Sequence, residues 1–214
     1  VRGVKPMFRR QLIALGLAFA MLLPFPAAAG DRASAAAGLV DQMIADLEAF
    51  LATDSGDVEA RSAEIDRVLT SYFDMDSITR FSAGPYWRAA DEAQRKEYGS
   101  LFREVLCGTI VRNFDKLNGL AYTADGSSTK GDKFVIVSGT FTDTSGSRPP
   151  VALNWRVLTR EGKPPRVFDI EIENLSLLVT QKQENVAVVR KNKGQFTALI
   201  DAMRERLEAP VHNN

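Results

Sequence analysis

The chain has 214 residues, 45% of them hydrophobic and 25% charged, which is enough apolar material for one sizeable core and excludes a disordered tail. Lysine plus arginine and aspartate plus glutamate each number 27, a balance that excludes a protein whose main work is neutralising nucleic-acid phosphates. Four of the basic residues (Arg2, Lys5, Arg9 and Arg10) fall within residues 1–29, which hold no acidic one, so the rest of the chain carries 23 basic against 27 acidic side chains.

Those first residues have the three parts of a secretory signal: a basic start, an apolar stretch from Leu12 to Phe25, and Ala27-Ala28-Ala29 ahead of Gly30. The stretch is 14 residues long and broken by Pro24, short of the roughly 20 residues that span a bilayer. Cleavage is expected after Ala29. With glycine rather than cysteine at the junction, the exported product is expected to be soluble and without a lipid anchor. Residues 30–38, rich in small side chains, read as a linker. Residues 39–209 read as one domain and 210–214 as a polar tail.

Leu39, Met43, Ile44, Leu47, Phe50 and Leu51 recur at helical spacing, followed by a turn at Thr53–Gly56. A second helix is expected over Val58–Tyr72 and a short one around Asp76–Phe81, closed by Gly84-Pro85. The clearest helix follows. Asp91 and Gln94 stand in a capping-box relation, and Tyr98, Leu101, Phe102, Val105, Leu106, Ile110, Phe114 and Leu117 line one side. From Leu120 the period changes. Lys133–Thr142, Pro150–Arg160 and Arg166–Leu178 read as strands of an antiparallel meander, with turn material at Asp125–Ser127, Thr144–Ser147 and Glu161–Pro165. Val151, Leu153, Trp155 and Val157 alternate with polar or small residues, and Phe168, Ile170 and Ile172 alternate with Asp169, Glu171 and Glu173. Helical segments around Gln183–Lys191 and Phe196–Leu207 close the chain. Helices, then a meander, then helices, without β-α-β alternation, make an α+β protein.

Cys107 is the only cysteine and lies in the periodic helix, so it reads as a small packing residue. The only histidine, His212, lies in the tail. Cys-His and Ser-His-Asp nucleophile sets and a His/Cys metal site are thereby disfavoured, and neither glycine-rich phosphate loop is present. Asp169, Glu171 and Glu173 offer two readings. Crowded carboxylates on one strand face could do acid-base work, or they could form a solvated face paired with Arg156 and Lys133. The aromatic residues Phe73, Phe81, Tyr86, Trp87, Phe102, Phe114, Phe134, Trp155 and Phe168 fall on both the helical and the sheet halves, and fit either a packed core or a ligand cavity.

The stretch Gly84-Pro85-Tyr86-Trp87-Arg88-Ala89-Ala90-Asp91-Glu92-Ala93-Gln94-Arg95, running on to Phe102-Arg103, resembles the "G-x-Y-W-[RK]-x-A-T-P-x-Q-R…F-x-x-[FL]" segment of the MlaC/toluene-tolerance family of periplasmic phospholipid-binding proteins. Arg148-Pro149-Pro150-Val151, Val167-Phe168-Asp169-Ile170, Glu173-Asn174-Leu175-Ser176-Leu177 and Thr180-Gln181-Lys182-Gln183 continue the likeness, as does Lys193-Gly194-Gln195-Phe196. It covers about Leu39 to Leu207. Asp91-Glu92 stands in place of Thr-Pro and preserves a helix cap. Asn174 stands in place of Gly and tolerates a left-handed backbone. Asn185-Val186 lacks the aromatic of the family's "K-Q-N-E-W" segment.

The resemblance implies an NTF2-like curved sheet backed by helices, with an apolar cavity between the layers for lipid tails. It implies a monomeric, non-enzymatic periplasmic carrier, and with the charge balance and the single cysteine and histidine the expectation is one without cofactor or metal that binds no nucleic acid. Such a carrier moves phospholipid between an outer-membrane lipoprotein complex and an inner-membrane ABC transporter complex, in maintenance of outer-membrane lipid asymmetry. On this reading Leu153, Trp155, Phe168, Ile170 and Ile172 of the sheet, Phe102, Leu106 and Ile110 of the long helix, and Tyr86, Trp87 and Phe134 hold the lipid. Three rivals remain: a carrier of the family's hopanoid-associated branch, an enzyme on the same scaffold using Asp169 or Glu171 as general base, and an adaptor that carries nothing.

Overall fold

The computed structural model describes residues 27–208; the expected signal segment before Ala27 and the tail after Glu208 lie outside them. The first helix, α1, runs over Ala27–Leu51, so the stretch expected as a linker at 30–38 is helical. Its alanines lose no side-chain entropy in a helix, and Ala36, Val40 and Met43 are buried against the sheet. Arg32 donates to the carbonyls of Asp132 and Gly131 in the facing hairpin. Helix propensity and a docking surface together outweigh the linker-like composition.

Helix α2 (Val58–Tyr72) is capped by Asp57, and α3 (Met75–Ser82) by Asp74. A short 3-10 turn spans Gly84–Arg88. Helix α4 (Glu92–Arg112) starts with the expected capping box: Asp91 accepts from the Gln94 amide at 2.8 Å, and Gln94 accepts from the Asp91 amide at 3.1 Å. It stops at Arg112, before the expected Leu117, and the chain passes through a 3-10 turn over Phe114–Leu117.

Five strands follow in meander order, all neighbours antiparallel. They are β1 (Leu120–Lys130), β2 (Phe134–Asp143), β3 (Val151–Leu158), β4 (Arg166–Ile172) and β5 (Leu175–Ser176). The expected turn at Asp125–Ser127 is a bulge inside β1, with Asp125 as the extra residue between the Ala124 and Gly126 pairings. The strand expected up to Leu178 ends at Ile172, and helix α5 starts six residues before the expected Gln183, running over Leu177–Lys191. Helix α6 covers Thr197–Glu208. Among the described residues no helix is long and apolar enough to cross a membrane. The architecture is α+β, as the element order predicts.

One sheet face packs on α1 and α2. Val135, Val137, Leu153, Trp155, Val157 and Val167 are buried there, with Ile170 and Ile172 beside them. A second core joins α3, α4, α5 and α6 around Tyr98, Phe102, Val189, Leu199 and Met203. A third lies between α2 and α4 around Ile65, Leu69, Cys107 and Phe114. Cys107 is 7% exposed, with its Sγ 3.5 Å from the Ser62 carbonyl, consistent with the packing role.

The β2–β3 loop is organised by Asp143. Its carboxylate accepts from the Ser147 hydroxyl (2.6 Å), the Arg148 amide (3.1 Å) and the Ser145 hydroxyl (2.8 Å). Arg148, the arginine of the R-P-P-V stretch, also donates to the carbonyls of Lys116 and Asn118. Hydrogen bonds from Ser147, Arg148 and Ser145 hold the Asp143 carboxyl well below the ordinary aspartate range. A depressed folded-state pKa stabilises the fold above the unfolded value of about 4 and loses that contribution as pH falls below it. Urea midpoints measured between neutral and acid pH should therefore drop less steeply for Asp143→Asn than for the native chain, from a lower starting stability; parallel curves would contradict this.

Candidate functional site

The space beside the sheet's second face is set by how β4 meets α3. Phe73 forms a parallel bridge with Val167, and the Asp74 amide donates to the Val167 carbonyl at 2.9 Å, which hangs the start of α3 on β4. On the other side β4 is bulged against β3: Val157 pairs with Val167 and Arg156 with Asp169, leaving Phe168 as the extra residue. The bulge breaks the expected alternation. Phe168 does not share a face with Ile170 and Ile172. It turns to the opposite side, edge-on to Phe81 at 5.5 Å and 5.6 Å from Phe134.

Phe168 and Phe81 form the floor of a cleft of about 560 Å³ between α3, the 3-10 turn, β4 and α5. Gly84, Pro85 and Trp87 form one wall, and Arg80, Arg88, Lys182 and Ser77 complete the lining. Among the described residues the lining contains no carboxylate. The Lys182 ammonium lies 4.6 Å from the centre of the Phe81 ring, and Arg95 packs on Trp87 while donating to its carbonyl at 3.0 Å. Gly84 has φ +61°, and a Cβ there would sit 2.7 Å from Val186 of α5. Glycine is what lets the 3-10 turn close on α5.

Behind the cleft a buried knot ties its walls together. The Tyr98 and Ser82 hydroxyls are 2.7 Å apart. The Asn185 amide donates to the Tyr98 oxygen at 3.0 Å and to the Ser82 carbonyl at 3.2 Å, and accepts from Gln181 at 2.9 Å. Burial pushes the Tyr98 phenol up, so it stays a protonated partner. Asn185, at the family-divergent "N-E-W" position, thus joins α5 to α3 and α4.

The sequence-derived lipid residues divide. Trp87 and Phe168 line the cleft and Phe134 backs it. Tyr86 and Leu106 pack around the same helical core, and Phe102, 2% exposed, is stacked on Tyr98 within it. Ile110 belongs to the third core. Leu153, Trp155, Ile170 and Ile172 lie on the opposite sheet face, under α1. Sequence reasoning missed the cleft's cations, Arg80, Arg88 and Lys182. Arg88 and Lys182 stand within the motif stretches Gly84–Arg95 and Thr180–Gln183, which signalled them without giving them a role, and Arg80 lies outside both.

The acidic strand follows its second reading in part. Asp169 is 4% exposed, and its carboxylate accepts from the Ile170 amide (2.8 Å), the Leu178 amide (3.0 Å) and the Ser176 hydroxyl (2.6 Å), with Arg156 at 3.6 Å. Glu171 pairs with the same arginine. Glu173 has left the strand: it and Asn174 take left-handed φ values of 50° and 66° in the turn to β5, as the asparagine allows. Lys133 supplies its carbonyl to Thr159. Among the described residues no cluster of His, Cys, Asp and Glu could hold a metal ion.

A family model described as MlaC protein matches residues 37–205. Among solved structures, the phospholipid-binding protein from Ralstonia solanacearum in complex with a phospholipid shares the fold, with a TM-score of 0.71 and 23% identity over 80% of this chain and 96% of that one.

Proposed function

This chain belongs to the MlaC family, and we propose that it is a phospholipid carrier working in the periplasm once its N-terminal signal has been removed. The observation that supports this best is the cleft at Phe168: an aromatic floor, cations at the rim and no carboxylate in the lining suit an amphiphile with apolar tails and a phosphate. The phospholipid held by the Ralstonia protein of the same fold agrees with it. Binding rather than catalysis also fits Asp169, whose oxygens are taken up by amides, a hydroxyl and an arginine.

Energetics explain why such a protein works with partners. A 16-carbon chain at about 0.8 kcal/mol per methylene is worth about 13 kcal/mol, so escape of a two-chain lipid into bare water is very slow. Loading and release therefore fall to membrane-bound partners, an outer-membrane lipoprotein complex at one end and an inner-membrane ABC transporter complex at the other.

The test is native mass spectrometry and lipid extraction of the purified chain. Phospholipid should co-purify, and the Trp87→Ala, Phe168→Ala double variant should retain at least ten-fold less while keeping a cooperative melt, since each lost aromatic wall is worth about 1.5 kcal/mol or more of apolar contact. Repeated isolation of an empty native chain would overturn the proposal, and recovery of a hopanoid would redirect it.

A further inference from the structure

The described residues 27–208 are net acidic, with 23 basic side chains against 27, yet several cations gather around α3. The Phe168 cleft shares Arg80 and Trp87 with a neighbouring cleft of about 540 Å³. That one shares Met75, Asp76 and Arg103 with a third of about 370 Å³. The three openings ring α3. Among the described residues Asp74 and Asp76 are the only carboxylates in their linings, and Asp74 is already paired with Arg160 at 2.7 Å. Arg80, Arg88, Lys96, Lys163, Arg166 and Lys182 have no carboxylate partner among the described residues. Six of the fifteen basic residues without a carboxylate partner among the described residues thus gather around one helix, with Asp76 among them, and form a belt that anions from outside can complete.

Apolar side chains stand out at the Lys182 end of this belt, the end of β4 away from Arg166. Leu175 is 69% exposed and Leu177 47%, at the junction of β5 and α5, and Val179 follows at 36%. Val179 precedes Lys182 of the cleft by three residues on α5, hence on the same side of the helix. The pairings Leu153 to Ile172 and Ile172 to Leu175 bring exposed Val151 to the same end of the sheet. Of the exposed large hydrophobics among the described residues, Val58 alone lies elsewhere.

We propose that this face docks on an anionic phospholipid bilayer, with the cations over headgroup phosphates and Leu175, Leu177 and Val179 in the interfacial layer beside the cleft mouth. A bilayer fits better than an acidic protein for two reasons. The cations are spread over three adjoining openings rather than converging on one anion. A bilayer also places apolar depth directly under its charges, where neighbouring leucines need it. The docking rests on the carrier reading only for its purpose: it would bring the mouth to the lipid.

The experiment is co-sedimentation of the purified chain with phosphatidylcholine vesicles, with and without phosphatidylglycerol, at low and high salt. Binding is expected only with phosphatidylglycerol and should weaken with salt. The Lys96→Gln, Lys163→Gln, Arg166→Gln triple variant should lose on the order of 100-fold in affinity, about five-fold per cation. Leu175→Ser with Leu177→Ser should lose about ten-fold, with the salt dependence unchanged. Native mass spectrometry on the same samples should find bound phospholipid retained by both variants. Absence of vesicle binding, or equal binding to neutral vesicles, overturns the docking even where the chain holds lipid. Vesicle binding by a chain that never holds lipid sinks the carrier reading and leaves the docking standing. Loss of self-association or of an acidic protein partner in the triple variant, without vesicle binding, also overturns the proposal.

Discussion

Replacing Asp169 with alanine should lower the unfolding free energy by about 3–4 kcal/mol, the range for breaking a buried charged network. The carboxylate serves three donors and one cation at once: the amides of Ile170 and Leu178, the Ser176 hydroxyl and Arg156. Without it the first turn of α5 has an unserved amide. Arg156, whose Nε is already buried without a partner, is held by Glu171 alone. An unserved buried donor costs about 1–3 kcal/mol. For a domain of this size the melting temperature should fall by about 10 °C. Asp169→Asn should fall between the native chain and the alanine variant, because one oxygen still accepts while the charge facing Arg156 is gone. Because the start of α5 carries Lys182, retained lipid should fall with stability in the same order. An Asp169→Asn chain that melted like the native one while losing a chemical turnover would instead identify a catalytic base.

Gly139→Val should cost about 2–3 kcal/mol by overpacking the sheet's α1 face. Gly139 sits in the middle of β2, opposite Leu153. A Cβ there would overlap the hydroxyl and ring of Tyr122 on the neighbouring strand. The Tyr122 ring is also 6.5 Å from Trp155, and its oxygen accepts from the Trp155 indole at 3.2 Å. Displacing Tyr122 therefore breaks that bond and loosens the packing beside Leu153 and Ile172. A double-mutant cycle with Tyr122→Ala separates this cause from lost strand propensity. With the ring gone, the same valine should cost about 2 kcal/mol less; an unchanged cost would mean that Tyr122 is not what the glycine accommodates.

Much of the fold could be read locally. The Asp91/Gln94 box, the meander and the left-handed tolerance of Asn174 are each decided within a few residues, and each has its expected form. The differences arise where distant partners decide. The Phe168 bulge depends on the register between β3 and β4, so strict alternation along one strand puts that ring on the wrong face. Helix α5 begins at Leu177 because Ser176 caps it, accepting from the Val179 amide at 2.9 Å, and because Asp169, seven residues earlier, holds both Ser176 and Leu178. Apolar Leu177, Leu178 and Val179 had read as a continuing strand. The alanines before Leu39 looked like a linker because a small side chain reveals its helix only through the surface it lies on. For the cleft, the resemblance located Trp87 and Phe168. Its cations come from α3, the 3-10 turn and α5, and no periodicity connects those three.

The ammonium lying over Phe81 has a consequence for the unloaded protein. A cation on an exposed ring is worth about 0.5–1 kcal/mol, roughly what one methylene gains on leaving water. In the proposed carrier, Lys182 and an incoming acyl chain would compete for the same ring face, and the chain would win after its first carbon or two. On that proposal the lysine would hardly resist loading, and without cargo it would keep a charge over the Phe81 ring, a reversible cork that the cargo itself would remove.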